Sequence, residues 1–261
     1  MTTSDDPTTE VIDALAGRSD LIDALSAEPK DKREIVDELD VSRSTVDRAI
    51  RELEVLRLVE YGSGGLTLTF AGRLLAREYR RFEERVASVL DAQSVITVLG
   101  RESDLDARLL AGAEIVPADS VAPFKPGEKM VEVVRKAERL RMTSRAHTYP
   151  ETEHVFHNQI VNEEMSTEIV FRARMLDYLR ANLRESLHDI LSKDNCNGYV
   201  ADTIPFGLYL TERDNTANVC VLVYGPDNQY TGFISNDTKD AIQWGEETYQ
   251  RYRQRAERID A

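Results

Sequence analysis

The stretch Asp31–Leu68 limits the possible fold of this chain more than any other, because its pattern of apolar and polar residues fits two short helices followed by a β-hairpin. The pattern predicts a helix over Asp31–Leu39, followed by a turn in which Val41 fills the angle between two helices. A second helix is expected over residues 42–56, and residues 59–68 are expected to form two short strands around a glycine-rich turn. The chain should therefore carry a small module of two helices and a β-hairpin.

The second predicted helix has two distinct faces. Val46, Ile50 and Leu53 recur at helical spacing and form an apolar stripe, while Ser42 suits the N-cap. Serine hydroxyls and arginines on the other face are side chains that reach base edges and phosphates when a helix enters the major groove of DNA. The candidate DNA-binding residues of the helix and hairpin are Ser42, Arg43, Ser44, Thr45, Arg48, Arg51 and Ser63.

The segment VSRSTVDRAIRELEVLRLVE, residues 41–60, resembles the winged helix-turn-helix of bacterial and archaeal transcription regulators. The resemblance extends from before Asp31 to Leu75. It implies a recognition helix over residues 42–56 and a wing over residues 59–68. Arg57 departs from the pattern, since many members have glycine there, so this helix end is expected to be capped differently. The residues alone leave open a module used for protein contacts.

The charge is unevenly distributed along the chain. The net charge is −14, and only 7 of the 33 basic residues are lysines. An acidic chain with this preference for arginine resembles the proteins of halophiles that accumulate salt, although an ordinary acidic protein is the alternative. Residues 28–82 contain 11 basic and 11 acidic side chains, so the remainder carries the whole negative charge. This contrast favours nucleic-acid binding by the first module.

Other features limit the class of protein. No apolar run is long enough to cross a membrane, and the N-terminus lacks the basic and apolar regions of a signal peptide. Cys196 and Cys220 are too few for a disulfide framework and are expected to be free, unreactive thiols. The sequence therefore predicts a cytoplasmic protein with no membrane association, cofactor or metal.

Helical patterns flank the central module. Residues 7–16 and 19–27 are expected to form helices that pack behind the recognition pair, and residues 70–93 a long helix. A long helix that leaves a small domain suits a dimer contact or a connector, although a core helix of the next domain fits equally. The expected division is a winged helix-turn-helix domain over 1–75, a linking helix over 76–93 and an α/β domain over 94–261.

Beyond residue 94, candidate strands and helices alternate. Val95–Leu99 is expected to be a strand or a buried segment, and Asn236–Ile259 a final helix capped by Asn236 or Asp237. Strands at Leu140–Ser144 and Ser166–Phe171 precede a run of strands that ends in a hairpin turn at residues 225–228. This order predicts an α+β protein whose second domain has a mixed sheet covered by helices.

The order of elements and the segment GEKMVEVVRKAERLRMTSRAHTYPE, residues 127–151, resemble the C-terminal domain of archaeal winged-helix regulators of the methanogenesis-regulator type. Such domains are similar to a phospholipase-D-like α/β sandwich. Catalysis of that type needs a histidine nucleophile with a lysine two residues on. Tyr149 occupies that position after His147, and no other histidine fits the pattern. The second domain is therefore expected not to be an enzyme.

Polar residues follow two of the predicted strands. In open α/β sheets, ligands bind beyond the carboxyl ends of parallel strands. If the two strands are parallel neighbours, the candidate ligand-binding residues converge on one crevice that suits a small anion; these residues are Ser144, Arg145, His147 and Arg172. The alternative is that the arginines pair with surface glutamates, for which the candidates are Glu151, Glu153 and Glu168.

Two functions from different classes remain on the sequence alone. The first is a DNA-binding transcription regulator, expected to be a homodimer, whose C-terminal domain senses a small anionic effector or mediates dimerisation. The second is a protein-interaction module, or a degenerate phosphodiesterase-like enzyme, to which a winged helix has been attached. Binding to a specific DNA fragment in the presence of competitor DNA separates the two.

Overall fold

The structure is a computed structural model that describes residues 6–149 and 151–259. It confirms an α+β protein, and the chain divides between Glu84 and Arg85 into two compact units. The first unit contains, in order, α1 (Pro7–Gly17), α2 (Ser19–Ala27), α3 (Lys32–Leu39), α4 (Arg43–Val55), β1 (Val59–Gly62), β2 (Gly65–Leu68) and the beginning of α5 (Phe70–Ile96). This order confirms the predicted helix-turn-helix and hairpin.

Side-chain caps define the two helices of the helix-turn-helix. The Asp31 carboxylate accepts hydrogen bonds from the backbone N–H groups of Arg33 and Glu34, and the Glu34 side chain accepts one from Asp31 N in return. The Ser42 hydroxyl accepts a hydrogen bond from Thr45 N at 3.2 Å, which confirms the predicted cap of α4. Each helix therefore begins directly after a side chain that accepts hydrogen bonds from its first backbone N–H groups.

The expected role of Val41 is wrong. Its side chain is 37% exposed, because Asp40 adopts a left-handed conformation (φ 49°) that ends α3 and changes the direction of the chain. The core of the unit is filled instead by side chains from both helices and the hairpin, including Ile35, Val46, Ile50, Leu53 and Leu66.

The hairpin is joined to the segment that precedes α3. Lys30 and Leu66 exchange two backbone hydrogen bonds, Lys30 N to Leu66 O at 3.0 Å and Leu66 N to Lys30 O at 2.8 Å. Gly65 makes this close approach possible, because its φ is 117° and a Cβ there would lie 2.6 Å from Lys30 O. The wing is thereby held against the start of the helix-turn-helix.

The second unit is built on an eight-stranded mixed sheet in the order β10-β6-β5-β4-β7-β8-β9-β3. Its strands are β3 (Glu114–Pro117), β4 (Arg139–Ser144), β5 (Ser166–Arg172), β6 (Cys196–Ala201), β7 (Gly207–Arg213), β8 (Thr216–Tyr224), β9 (Tyr230–Asn236) and β10 (Glu257–Ile259). Its helices are the end of α5, α6 (Ala107–Leu110), α7 (Lys125–Val134), α8 (Glu151–His157), α9 (Ala173–Asn182), α10 (Arg184–Leu191) and α11 (Lys239–Gln254), with a π-helical turn at Asn158–Asn162.

Helices cover both faces of this sheet, as predicted. Along β8, Cys220, Leu222 and Tyr224 belong to one core, and the residues between them, Val221 and Val223, belong to the other. The first core is formed with α7, α8, α9 and α10, whereas the second includes side chains of α5, α6 and α11. This two-sided burial explains why the central strands are apolar at nearly every position.

The strand alternative for Val95–Leu99 and the predicted cap of the final helix are wrong. The apolar run Val95–Leu99 is not a strand, because Val95 lies in the last turn of α5 and shares its buried face with Ala92. At the C-terminus, the final helix is capped by Thr238, whose hydroxyl accepts from Ala241 N. Asn236 and Asp237 are not the cap, since the Asn236 amide at the end of β9 donates to Leu109 O and Ala111 O.

The last predicted helix is also too long. α11 ends at Gln254, and Glu257–Ile259 forms β10, which pairs antiparallel with β6 at the edge of the sheet. The apolar side of α11 is used within its own unit, because Trp244 and Tyr249 are buried in the core.

The expectation of a different cap at Arg57 is wrong, because α4 ends in the motif that glycine usually forms at this position. Arg57 has a φ of 57°, and its N–H bonds to Glu54 O while Leu58 N–H bonds to Leu53 O at 2.8 Å. These two bonds form a Schellman motif, in which the left-handed position favours glycine. The motif is therefore made with a residue whose Cβ is unfavourable in this conformation.

We expect Arg57→Gly to raise the free energy of unfolding by about 1 kcal/mol, because glycine adopts the left-handed conformation without the Cβ penalty. The measurement is urea denaturation of both proteins at the same salt concentration. Arg57→Ala is the matched control, since it removes the same guanidinium but retains Cβ. An equal gain in both variants would show that charge, and not conformation, is responsible.

Candidate functional site

All seven candidate DNA-binding residues are exposed in the first unit. Six of them lie on α4 or at its cap, and Ser63 lies at the tip of the hairpin. At the N-terminus of α4, the Ser42 hydroxyl lies 2.8 Å from both the Ser44 Oγ and the Thr45 Oγ1. The structure therefore brings three small hydroxyls together where the backbone N–H groups of the helix point outward.

Two of the three acidic side chains of α4 form ion pairs with residues outside the helix. Asp47 accepts a hydrogen bond from the Lys32 ammonium at 2.7 Å, and Glu52 forms an ion pair with Arg18 at 2.7 Å. The hydrogen bond from Lys32 lowers the pKa of Asp47, so this carboxylate stays ionised and paired. Among the described residues, Arg43 and Arg48 have no ion-pair partner and no side-chain hydrogen bond.

Arg51 is oriented along the same helix. Its Nε donates to the backbone oxygen of Asp47 at 3.1 Å, and its guanidinium remains exposed. None of the three arginines of α4 forms an ion pair in the described parts of the chain, although the charges of Arg43 and Arg51 add to the effect of the Lys32 hydrogen bond in lowering the pKa of Asp47. This arrangement is suited to phosphate and base contacts.

The sequence reasoning missed Lys32 and Tyr61. The Lys32 ammonium bonds to Asp47 on α4 and lies 5.9 Å from the centre of the Tyr61 ring on β1. It therefore connects α3, the recognition helix and the wing. The side chain of Tyr61 is 54% exposed beside this contact. No local spacing predicts the link, because it joins residues distant in the chain.

In the second unit, β4 and β5 are parallel neighbours, with Ser144 opposite Phe171 in the register. Arg145 and Arg172 therefore lie side by side at the carboxyl-terminal ends of these two strands. Together with His147 they line an open pocket of about 580 Å³, which also includes Arg174 and Tyr178. The fourth candidate residue, Ser144, lines an adjoining apolar cleft of about 80 Å³.

Arg145 is half-buried and is oriented by neutral groups. Its guanidinium donates to Pro205 O, and its Cζ lies 5.7 Å from the centre of the Tyr224 ring. Burial, and then the nearby charge of Arg172, lower the pKa of Arg145. His147 stacks on Tyr178 with the ring centres 5.8 Å apart. Both aromatic contacts were missed because they depend on tertiary proximity.

The alternative surface pairing of these arginines does not occur in the described structure. Glu151 is engaged by Arg135 at 2.6 Å and by the Tyr149 hydroxyl, and Glu168 lies 4.0 Å from Arg253. Glu153 lines the apolar cleft and has no ion pair with a described residue. The positive charge of Arg145 and Arg172 is therefore left without a carboxylate partner in residues 6–149 and 151–259.

Cys196 and Cys220 are free and buried, and burial raises the pKa of each thiol to about 12. No group of three or more histidine, cysteine or carboxylate side chains is placed to hold a metal ion in the described residues. None of the helices formed by these residues has the length and apolar character needed to cross a membrane.

Several solved structures are similar to this chain at low sequence identity. An archaeal chromatin protein, TrmBL2, described as showing a novel mode of DNA binding, is 14% identical over 95% of this chain and 98% of its own, with a TM-score of 0.44. The phospholipase D family member Nuc from Salmonella typhimurium is 11% identical over 57% of this chain and 98% of its own, also with a TM-score of 0.44. No curated protein matches the chain.

Family models match both units. Residues 8–91 match the HVO_A0261 N-terminal domain, and residues 123–255 match the middle domain of the methanogenesis regulatory protein FilR1. The second match confirms the resemblance inferred from residues 127–151. Because it covers just over half of the 261 residues, the chain belongs to the family of the methanogenesis regulatory protein FilR1 middle domain.

Proposed function

We propose that this protein is a sequence-specific DNA-binding transcription regulator. Residues 42–56 enter the major groove, the wing over residues 59–68 contacts the flanking backbone, and the second unit senses an effector. The observation that carries the proposal is the exposed polar face of α4, where three arginines and three hydroxyls stand free of carboxylate partners while Asp47 and Glu52 are paired. Family membership and the likeness to a DNA-binding chromatin protein are consistent with it.

Because the first module has no net positive charge and the whole chain is acidic, DNA binding depends on direct contacts between side chains and DNA. With a net charge of −14, the whole protein repels DNA at long range, and residues 28–82 are only neutral. In about 1 M salt the Debye length is about 3 Å, so this repulsion and any long-range attraction are both screened. Short-range bonds from Arg43, Arg48 and Arg51 then supply the binding.

The first test uses Arg48→Ala, because Arg48 is exposed in the middle of the polar face and has no partner in the described structure that its loss would leave unpaired. If Arg48 reads a base, the variant should lose about 1–3 kcal/mol of specific binding free energy. Binding is measured on a genomic fragment selected by the wild type, in high salt with competitor DNA.

The matched control is Arg180→Ala, which removes an exposed arginine from α9 in the second unit. It makes the same change in net charge and should leave the affinity unchanged. If the folded Arg48 variant binds as tightly as the wild type, the assignment of this face to DNA is wrong. A wild type that selects no fragment over competitor would favour the protein-interaction alternative.

A homodimer is the second part of the proposal, because one recognition helix reads a short site and two-fold pairing lengthens it. Helix α5 presents exposed apolar side chains at Leu75, Phe82, Val86 and Val89. Their spacing of seven, four and three residues is that of the a and d positions of a coiled coil. Two copies of α5 can therefore bury these side chains against each other.

We expect Phe82→Asp to shift the protein from dimer to monomer, because it places a charge in the middle of the proposed seam. Phe82 is 57% exposed in the single chain, so the variant should still fold. Light scattering at micromolar concentration in high salt measures the mass. Ala87→Asp, exposed on another side of α5, is the control and should remain dimeric. A monomeric wild type would contradict the proposal.

Adaptation to high salt is the third part. A net charge of −14 destabilises the compact state by self-repulsion, and salt screens that repulsion. The thermal unfolding midpoint should therefore rise as KCl is increased from low concentration to about 1 M, where the Debye length is about 3 Å. Differential scanning calorimetry measures it, and a midpoint that is flat or falls over this range would refute the salt adaptation.

A further inference from the structure

The basic pocket of the second unit opens beside the apolar cleft. Four residues, Ala146, His147, Thr148 and Met175, line both spaces. One space is rimmed by arginines and the other by apolar side chains. A molecule that occupies both would therefore need one charged end and one apolar end.

The charged end of the joint site is cationic. Arg145, Arg172 and Arg174 line the pocket, and none of them has an ion pair with a described residue. Asp227 is the acidic residue on the same lining, and it is exposed. Three arginines without an ion pair thus line one pocket in a chain whose net charge is −14.

Backbone N–H groups add hydrogen-bond donors to the cationic end of the joint site. Helix α9 begins directly after Arg172, and no side chain caps its first N–H groups. The N-terminus of a ten-residue helix therefore opens at the pocket lined by Arg172, Arg174 and Met175. Free N–H groups and arginines together favour an anion, especially a carboxylate or a phosphate.

The adjoining cleft selects the other end of the ligand. Buried side chains of the two parallel strands and α10 line it, among them Met142, Ile169, Phe171, Leu187 and Ile190. Polar side chains also line the cleft, among them Ser144, Thr152, Glu153 and Ser186, but apolar side chains supply most of its exposed surface. The cleft therefore favours an apolar group over a sugar, whose hydroxyls are costly to bury without hydrogen bonds. The cleft volume of about 80 Å³ is large enough for a short apolar group and too small for a long acyl chain.

We propose that this joint site binds an organic carboxylate with a short apolar tail, its carboxylate held by Arg145 and Arg172 and its tail placed between β4, β5 and α10. The inference rests on the proposed sensing function, since it names the class of effector for that unit. Arg145 is already oriented by Pro205 O and Tyr224, so it needs little rearrangement to receive the carboxylate. Arg172 provides the second cation.

The test is isothermal titration calorimetry on the full chain without DNA, with hexanoate, hexanamide and acetate as probes. Hexanoate should bind at least about tenfold more tightly than hexanamide, which lacks the charge, and than acetate, which lacks the tail. Equal affinity for hexanoate and hexanamide, equal affinity for hexanoate and acetate, or no binding of hexanoate would each overturn the proposal.

Two variants locate the site. Arg172→Gln should weaken hexanoate binding about tenfold, because it removes a charge-assisted hydrogen bond, whereas Arg180→Gln, near the other end of α9, should have no effect. Circular dichroism verifies that both are folded. If both variants bind like the wild type, the carboxylate is not held at this pocket and the proposal is wrong.

Failure of this proposal and failure of the regulator function are distinguishable, because ligand and DNA binding are measured separately. Hexanoate binding that depends on Arg172, in a protein that selects no DNA fragment, supports the site and refutes the regulator. Specific DNA binding without hexanoate binding refutes the site alone.

Discussion

Burial of both faces of the eight-stranded sheet determines the arrangement of the second unit. Because neighbouring side chains of β8 enter opposite cores, helices must cover both sides. The parallel pairs β4–β5 and β5–β6 then need crossover connections, which are provided by α8, α9 and α10. These crossovers place Arg145 and Arg172 at the same edge of the sheet. The candidate pocket is therefore a consequence of how the core is closed.

Periodicity in the sequence was sufficient for much of the fold. The stripe Val46, Ile50, Leu53 predicted both the extent of α4 and its buried side, and alternating apolar runs predicted the mixed sheet. The run Val95–Leu99 failed because a short apolar segment fits a strand and a helix face equally, and only its packing against the sheet decides between them. The predicted cap of α11 was wrong because the side chain of Asn236, a residue type that often caps helices, donates instead to two backbone carbonyls at α6.

Some parts of the candidate sites could be predicted from the sequence, and others could not. The exposed arginines of α4 follow from helical spacing alone, and the proximity of Arg145 and Arg172 followed once two strands were assumed to be parallel. The pair Lys32–Asp47 and the apolar cleft beside the arginines were not predictable. Both depend on side chains from separate elements meeting in space, for which a single sequence has no local signal.

Regulation requires that binding in one unit changes the free energy of binding in the other. A carboxylate bound at the second unit alters DNA affinity only if it binds more tightly to one arrangement of the chain than to another. Helix α5 is the covalent connection, since its 27 residues contain the boundary between the units at Glu84 and Arg85. By linkage, any factor by which the ligand changes DNA affinity must equal the factor by which DNA changes ligand affinity. Ligand titrations with and without operator DNA therefore measure the coupling directly, whichever sign the regulation has.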